Sequence, residues 1–315
     1  MNSTFSNPRV VIRPTLPSDT PDILEFCKLI WGGTDYLPSV WDEWLHSPKS
    51  HLFTAEYGGR AVGVTRVSAV APRQWWFEGF RVDPAYQGLG VGTQIHEYIV
   101  NWWLRNGEGA VRLWTHAKRV KIHHLCEKTG FSRVLERAVY AAPGSNGFGS
   151  GWGNGFDNGC GSGWGNGLFT PVSPEEIPAA TEFAQKAESL PLQGGKLDLL
   201  WQTATPNETS LRELISQETH RLFWWREKRG LLGWWENDEQ PENIHPMIAF
   251  AASETAELSD LLREARQLAQ AEGFQSLAWN APVSPELVPY LAAAGFARVD
   301  DDSNYEYERL HPTRP

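Results

Sequence analysis

The chain has 315 residues, of which 41% are hydrophobic, and it carries a formal net charge of −10. This length is enough for about two domains. The negative charge argues against a general nucleic-acid surface, because phosphate binding needs clustered Lys and Arg side chains.

The cysteines and the start of the sequence indicate the compartment. Cys27, Cys126 and Cys160 have neither the spacing of a metal site nor an even-numbered disulfide framework, which predicts a reducing environment. No signal-peptide pattern opens the sequence, and no apolar run approaches the roughly 20 residues of a membrane span. We therefore expect a cytoplasmic protein that binds neither membrane nor nucleic acid.

Residues 1–143 alternate between strand and helix patterns, which predicts an α/β domain with a sheet and helices around one core. Strand patterns lie at 10–12, in the two arms of 51–70, and at 74–82, 110–116 and 131–141. Helix patterns lie at 18–30, 93–105 and 118–128.

Residues 144–169 interrupt this order with a glycine-rich stretch. The heptapeptide GSGWGNG occurs twice, at 149–155 and at 161–167. Ordering so many glycines is costly, and no apolar face offsets the cost, so we predict a linker. A second interpretation is that Trp152 and Trp164 anchor it to a partner or to the following domain.

Residues 170–315 repeat the earlier order of elements. Trp114 and Gly130 are 16 residues apart, as are Trp279 and Gly295, and the matching positions differ by a constant offset of 165. Identical spacing over several matches predicts an internal duplication. We therefore expect domains at 1–143 and 170–315, joined by the 144–169 linker.

The segment QGLGVG at 87–92 follows a strand pattern and opens a helix pattern. Amides at a helix start lack internal acceptors, and glycines allow a phosphate to approach them closely. The spacing does not match the G-x-G-x-x-G dinucleotide motif, and the Lys of a phosphate-binding P-loop is missing. The segment therefore predicts an anion site of another kind.

EGFRVDPAYQGLGVG at 78–92, followed by LCEKTGF at 125–131, resembles the central strand, pyrophosphate loop and next helix of the GNAT family of acetyl-CoA-dependent N-acetyltransferases. The resemblance covers residues 10–142. It implies an acyltransferase with the GNAT fold, a mixed central sheet with flanking helices, here duplicated in tandem. It also implies acetyl-CoA as co-substrate, an amine acceptor and no metal.

The same resemblance implies a set of residues that bind the co-substrate. The backbone of Phe80, Arg81 and Val82 would pair with the pantetheine arm. Arg119 stands where the family has an Asn, and would meet phosphate charge or simply begin a solvated helix. The pyrophosphate would be held by the amides of Gln87, Gly88, Leu89, Gly90, Val91, Gly92 and Thr93.

Two residues are candidates for proton transfer. A Glu on the central strand often serves the family as general base, and here that residue is Glu78. The alternative is a strand carboxylate that faces solvent or pairs with an Arg. At the position of the family's usual acid, a Tyr, this chain has Cys126, which would protonate the leaving thiolate or would only fill the core.

The acceptor site is expected at 31–45, where the family's first helices and their loop lie. Asp35, Tyr36 and Trp41 would bind a small polar amine. We expect this amine to be the α-amino group of an amino acid. This segment has a local resemblance to histidine N-acetyltransferases. The alternatives are a loop that only packs its aromatic side chains, a protein or peptide N-acetyltransferase, or a non-catalytic acyl-CoA sensor.

The second half resembles the same fold without its loop. At the offset of 165, residues 87–92 correspond to 252–257, which contain Glu254 and Glu257 and no glycine. Carboxylates repel a pyrophosphate, so we predict one co-substrate site per chain. The second half would then be structural or would contribute to the acceptor pocket; the sequence makes no prediction of oligomeric state.

Overall fold

A computed structural model describes residues 9–143, 167–216, 219–237 and 245–314. The chain divides into two compact units: the first comprises Met1–Arg133 and Tyr307–Pro315, and the second comprises Val134–Glu306. The predicted linker, with Trp152 and Trp164, lies outside the described residues except for its last three. Among those three, Phe169 is a buried strand residue of the second unit.

The first unit is a sheet with helices on both faces. Its helices are α1 (Thr20–Cys27), α2 (Leu37–His46), α3 (Val91–Asn106) and α4 (Val120–Lys128). Its strands are β1 (Val11–Pro14), β2 (Ser50–Tyr57), β3 (Arg60–Ala71), β4 (Gln74–Val82), β5 (Ala110–His116) and the end of β15 (Asn304–Leu310). They lie in the order β1-β2-β3-β4-β5-β15, antiparallel from β1 to β4 and parallel between β4 and β5.

Two apolar clusters cover opposite faces of this sheet. Leu52 of β2 packs with Ile23, Trp41 and the other apolar side chains of α1 and α2. Ala55 of β2 packs with Ile95 of α3. Because alternate strand residues point to opposite faces, Leu52 and Ala55, three residues apart, separate the α1–α2 face from the α3 face.

The end of the chain belongs to the first unit, which the predicted boundaries did not anticipate. Glu308 of β15 accepts a hydrogen bond at 2.6 Å from Nε of Arg112. Gly109 exchanges two backbone bonds with the tail, accepting from His311 at 2.8 Å and donating to Arg314 at 2.6 Å. The division into two units therefore follows the pairing of strands about 200 residues apart. The glycine-rich linker, from which the boundary was predicted, does not define it.

The second unit has the same kind of layered α/β structure, which confirms the predicted fold class. Its helices are α5 (Ile177–Lys186), α6 (Glu208–Ser216), α7 (Leu258–Ala271) and α8 (Val288–Ala293). Its strands are β6 (Ser132–Pro143), β7 (Phe169–Pro171), β8 (Leu197–Leu199), β9 (Gln202–Ala204), β10 (His220–Trp225), β11 (Gly230–Asn237), β12 (His245–Ser253), β13 (Ser276–Pro282) and β14 (Ala297–Arg298). Six of these lie in the order β6-β13-β12-β11-β10-β7, β14 pairs with β6, and β8 pairs with β9.

A buried ionic network lies inside the second unit. Glu306 is fully buried, and its carboxylate accepts from Nζ of Lys196 at 2.7 Å, from Oγ1 of Thr203 at 3.1 Å and from Nε of Arg137 at 3.1 Å. Arg137 also donates to the backbone oxygen of Asn280 at 3.1 Å. We call these residues the Glu306 network; one carboxylate in it faces two buried cations.

Asp198 lies beside this network in a different electrostatic state. One carboxylate oxygen accepts from the Trp201 amide at 2.8 Å, and the other is buried, with no hydrogen bond of ordinary geometry to any described residue. Burial raises the pKa of Asp198 to about 7, and the charge of Arg137 opposes this only in part. The folded protein therefore favours the protonated form of this carboxyl up to neutral pH.

This shift predicts that Asp198→Asn stabilises the protein above pH 7. The unfolded chain releases the Asp198 proton near pH 4 and the folded chain near pH 7, so the free energy of unfolding falls as pH rises through that window and is level above it. We expect the variant to gain roughly 1–4 kcal/mol at pH 8 and to lose this part of the pH dependence. Urea unfolding at pH 5 and at pH 8 measures both, and equal effects at the two pH values would contradict it.

Within the described residues, no helix combines the length and apolar character needed to cross a bilayer.

Candidate active site

The neighbouring strands β4 and β5 pair only at their beginnings. The parallel register joins Gln74–Trp76 to Ala110–Arg112 and extends no further. On its other edge β4 continues to pair with β3, as far as Val82 opposite Gly63. Among the residues that the structure describes, one edge of the backbone at 80–82 therefore has no strand partner, as an added extended ligand requires.

A β-bulge interrupts β4 just before this open edge. Val64 of β3 faces Arg81 and Arg66 faces Glu78, so Thr65 alone stands opposite two residues, Gly79 and Phe80. Such a bulge leaves a backbone group outside the ladder and re-aims the strand. It supplies an amide that can point at a developing oxyanion.

Gly79 is the residue that permits the bulge. Its φ is +63°, and a Cβ built there would lie 2.4 Å from a ring carbon of Trp44 in α2. A side chain at this position would therefore be strained and would collide with a buried ring. Neither Gly79 nor Trp44 was singled out from the sequence, although a glycine inside a strand pattern is a known signal for a bulge.

The loop between β4 and α3 comprises residues 83–90. Asp83, which is buried, accepts a hydrogen bond from the Ala85 amide at 2.9 Å and fixes the turn. Gly88 and Gly90 have φ values of +82° and +78°, and no heavy atom lies closer than 4.0 Å to a Cβ built at either position. The loop is thus an open cradle leading to the unpaired amides of the first turn of α3.

The other residues predicted to hold the pyrophosphate lie in this loop or in the first turn of α3. Leu89 is 61% exposed. The Gln87 side chain donates to the backbone oxygen of Val82 at 3.4 Å, which ties the loop to the strand. Gly92 lies within α3 beside the ring of Phe80, at a distance that a Cβ would tolerate. Val91 is buried, and Thr93 lies in the first turn of α3.

Glu78 ends the regular part of β4 directly before the bulge. Its Oε1 accepts from Nη1 of Arg66 at 2.9 Å and from Oγ of Ser68 at 3.1 Å. The side chain keeps 15% of its surface exposed. Arg66 in turn lies over the ring of Trp44, 4.6 Å from its centroid. The candidate base is therefore oriented by an ion pair on the α1–α2 face of the sheet.

Asp35 has a different partner from the predicted amine. Both of its carboxylate oxygens accept from Arg81, from Nε and from Nη2, each at 2.8 Å. The two side chains are buried, with 1% of Asp35 and 7% of Arg81 exposed. The pKa of Asp35 is lowered because the bonds and the charge of Arg81 outweigh the desolvation that burial imposes. Both oxygens of Asp35 are thus engaged by Arg81, which they hold in place, and the predicted contact with an acceptor would have to compete with this pair.

Aromatic side chains surround the outer part of this pair. The guanidinium carbon of Arg81 lies 4.3 Å from the ring centroid of Trp31 and 5.2 Å from that of Tyr36. Trp31 and Tyr36 are 47% and 37% exposed. Protein atoms crowding the phenol, together with the charge of Glu78, raise the pKa of Tyr36 to about 12, so its hydroxyl stays protonated at neutral pH.

Arg119 contacts one of these aromatic side chains. It is the residue before α4, and its guanidinium carbon is 5.4 Å from the ring centroid of Trp31. Desolvation and the nearby charge of Arg81 lower its pKa. The sequence predicted a phosphate contact for Arg119, whereas its neighbours in the structure are Trp31 and Arg81.

Two further residues that were predicted to act in the site have buried side chains. Cys126 is fully buried in α4, and burial raises the pKa of its thiol to about 12. A thiol so weakly acidic and so enclosed favours the alternative interpretation, in which Cys126 fills the core. Trp41 is 3% exposed and donates from Nε1 to Oγ1 of Thr20 at 3.0 Å, so it joins α2 to α1 and offers no surface to an acceptor.

The second unit has a shorter connection at the corresponding place. Residues 254–257 join β12 to α7, half the length of the 83–90 loop. The constant offset of 165 misaligned this region, because β12 continues to Ser253. The Thr255 amide donates to the carboxylate of Glu188 at 3.2 Å, so a side chain of the chain itself meets this turn.

A groove of about 620 Å³ adjoins this turn of the second unit. It is lined by both acids and bases, and its cations Lys186, Lys228 and Arg229 are paired with Glu182, Glu176 and Glu257. No excess positive charge remains for a pyrophosphate. In the described ranges, no three His, Cys, Asp or Glu side chains are grouped as metal ligands would be.

Comparison with known proteins agrees with this geometry. Residues 20–131 match the family model described as Acetyltransferase (GNAT) family. The N-alpha-acetyltransferase RimI of Mycobacterium tuberculosis is 29% identical over 125 residues, which are 38% of this chain and 77% of that protein.

Two solved structures extend the similarity beyond the first unit. A GCN5-related N-acetyltransferase from Sphaerobacter thermophilus superimposes with a TM-score of 0.60 at 15% identity, over 97% of this chain and 96% of that one. A tandem GNAT protein from the clavulanic acid biosynthesis pathway superimposes with a TM-score of 0.59 at 11% identity, over 98% of this chain and 100% of that one. At these identities the superpositions establish the fold alone, including its tandem form.

Proposed function

We propose that this chain, which carries a GNAT acetyltransferase domain and is an acyltransferase, uses acetyl-CoA to acetylate a free amino acid. The acetyl group moves to the α-amino group of that amino acid. The observation that carries this proposal is the order of groups on β4. The carboxylate of Glu78 is followed at once by the bulge at Gly79 and Phe80, and then by the open strand edge. A base, an amide outside the ladder and an extended binding edge thus lie on consecutive peptide units.

The chemistry follows from this order. The family uses acetyl-CoA as its co-substrate. We assign the pyrophosphate of acetyl-CoA to the backbone amides of residues 87–93, where the cradle leads into α3. Glu78 takes a proton from the acceptor ammonium, directly or through water. The amine nitrogen attacks the thioester carbonyl carbon, and the bulge amide stabilises the oxyanion. The carbon–sulfur bond breaks, and the thiolate leaves without a dedicated acid, since Cys126 is enclosed. The second proton of the nitrogen passes to the departing thiolate or to water, which leaves a neutral amide.

A peptide N-terminus is the second candidate acceptor. The RimI relative, named as an N-alpha-acetyltransferase, favours it. The two candidates differ in one group: a free amino acid has a carboxylate next to its amine, and a peptide has an amide there. A single assay that offers both therefore separates them.

The test uses the purified full chain with acetyl-CoA, measuring thiol release and product mass. The acceptors are the free amino acids, polyamines and short peptides. We expect acetylation of one or a few amino acids. Turnover of peptides alone would replace the proposal with the second candidate, and tight binding of coenzyme A without turnover on any acceptor would indicate a non-catalytic sensor.

The co-substrate assignment makes its own prediction. Gly88→Ala is expected to raise the KM for acetyl-CoA about 10-fold or more, because Ala at a φ of +82° is strained and the loop that presents the amides would have to shift. Gly59→Ala is a matched control: Gly59 has a φ of +83°, with no heavy atom within 4 Å of its Cβ position, and it lies in the β2–β3 turn. Both variants should lose similar stability, and only the first should change the KM; an equal change in both would contradict the assignment.

A further inference from the structure

Arg119 has no acidic partner in the part of the chain that the structure describes. The carboxylate of Asp35 is taken up at both oxygens by Arg81. Arg119 itself contacts the face of Trp31, with its guanidinium carbon 5.4 Å from the ring centroid. An exposed cation stacked on an exposed tryptophan thus stands next to a second, already neutralised guanidinium.

Trp31, whose ring contacts both arginines, has an uncommon backbone conformation. Its φ is +48°, and Gly32 and Gly33 follow with φ values of +68° and +90°. A bulky residue in this region is strained, and such strain clusters at ligand-binding positions. Trp31 nevertheless exposes 47% of its surface, so core burial does not account for this conformation.

We propose that Arg119, stacked on Trp31, binds the carboxylate of the amino-acid acceptor, while the Asp35–Arg81 pair behind it fixes the wall of the site. A planar guanidinium suits a carboxylate because it donates two parallel hydrogen bonds. An anion at this position supplies Arg119 with the carboxylate partner that Arg81 already has in Asp35. The inference rests on the proposed function and adds the group by which the acceptor is recognised.

The test compares three acceptors that differ only in one group: the preferred amino acid, its carboxamide and its decarboxylated amine. In the wild type, kcat/KM should fall about 10- to 100-fold from the acid to either analogue. Arg119→Gln should raise the KM for the acid by a similar factor, leave the two analogues within about threefold, and leave the KM for acetyl-CoA unchanged.

Lys121→Gln is the control, because it removes one exposed positive charge two residues further along the chain, in the first turn of α4. It should leave all four KM values unchanged. An Arg119→Gln effect on acetyl-CoA alone would assign this residue to phosphate and overturn the inference. Equal use of acid and carboxamide by the wild type would also overturn it while leaving acetyl transfer intact. Acetylation of peptides and of no free amino acid would instead show that the proposed function has failed, and the inference with it.

Discussion

Glu306→Gln is expected to lower the free energy of unfolding by about 3–5 kcal/mol at pH 7, the usual cost of removing one partner from a buried ion pair. The substitution keeps the shape of the side chain and leaves Arg137 and Lys196, which are 3% and 8% exposed, without their carboxylate. Urea unfolding followed by circular dichroism measures the change.

The pH dependence of this effect has a defined sign. Burial opposes ionisation of Glu306, but the charges of Arg137 and Lys196 outweigh it and lower its pKa to about 2. A carboxyl group with a lowered pKa stabilises the fold fully above its unfolded value, near 4.5, and loses that contribution as pH falls toward 2. The wild type and the variant should therefore converge in stability at acidic pH.

Glu182→Gln is the matched control for this experiment. Glu182 pairs with Lys186 at 2.5 Å, but 67% of its side chain is exposed. An exposed pair one helical turn apart contributes only about 0.3–0.5 kcal/mol. A loss below 1 kcal/mol in Glu306→Gln, close to that of the control, would mean that the two buried cations find other partners.

Glu78→Gln is expected to lower kcat at pH 7 by about 10²- to 10⁴-fold, the usual contribution of a positioned general base. An alkylammonium acceptor has a pKa near 10, so almost none of it is a free amine at pH 7. Raising the pH supplies the free amine without a base. The deficit of the variant should therefore shrink as pH rises from 7 to 10.

The alternative role of Glu78 predicts a different profile. If its pair with Arg66 serves only to hold β3 and β4 together, the variant should lose stability, and its activity deficit should be the same at every pH. Glu56→Gln is the control, since Glu56 also lies on a strand of the first unit and accepts from an arginine, Arg13, at 2.8 Å. It should leave the pH–rate profile unchanged.

The sequence predicts the conformation of the loop at 83–90 because the signals for it are local. Gly88 and Gly90 adopt the positive φ that glycine permits, and the helix that begins at Val91 follows directly. Strand, loop and helix start are neighbours in the chain, so their patterns can be read side by side.

Roles that depend on distant partners could not be read in this way. Asp35 was predicted to contact the acceptor, and nothing near it in the sequence reveals that Arg81, 46 residues later, takes both of its oxygens. Trp41 and Cys126 have suitable chemistry for a site, but packing across helices encloses them. The role of Gly79 also depends on a distant partner. The ring of Trp44 occupies the space that a side chain at position 79 would need, and the sequence does not show this contact.

The path of the last strand has a consequence for how the protein is made. The first unit includes Tyr307–Pro315, and Gly109 and Arg112 bond to residues of that tail. A nascent chain emerges from the ribosome amino end first, so the first unit lacks β15 until the residues of the intervening second unit have been synthesised. Over that interval the sheet of the first unit has an open edge at β5, and it cannot be completed in the order in which its strands are made.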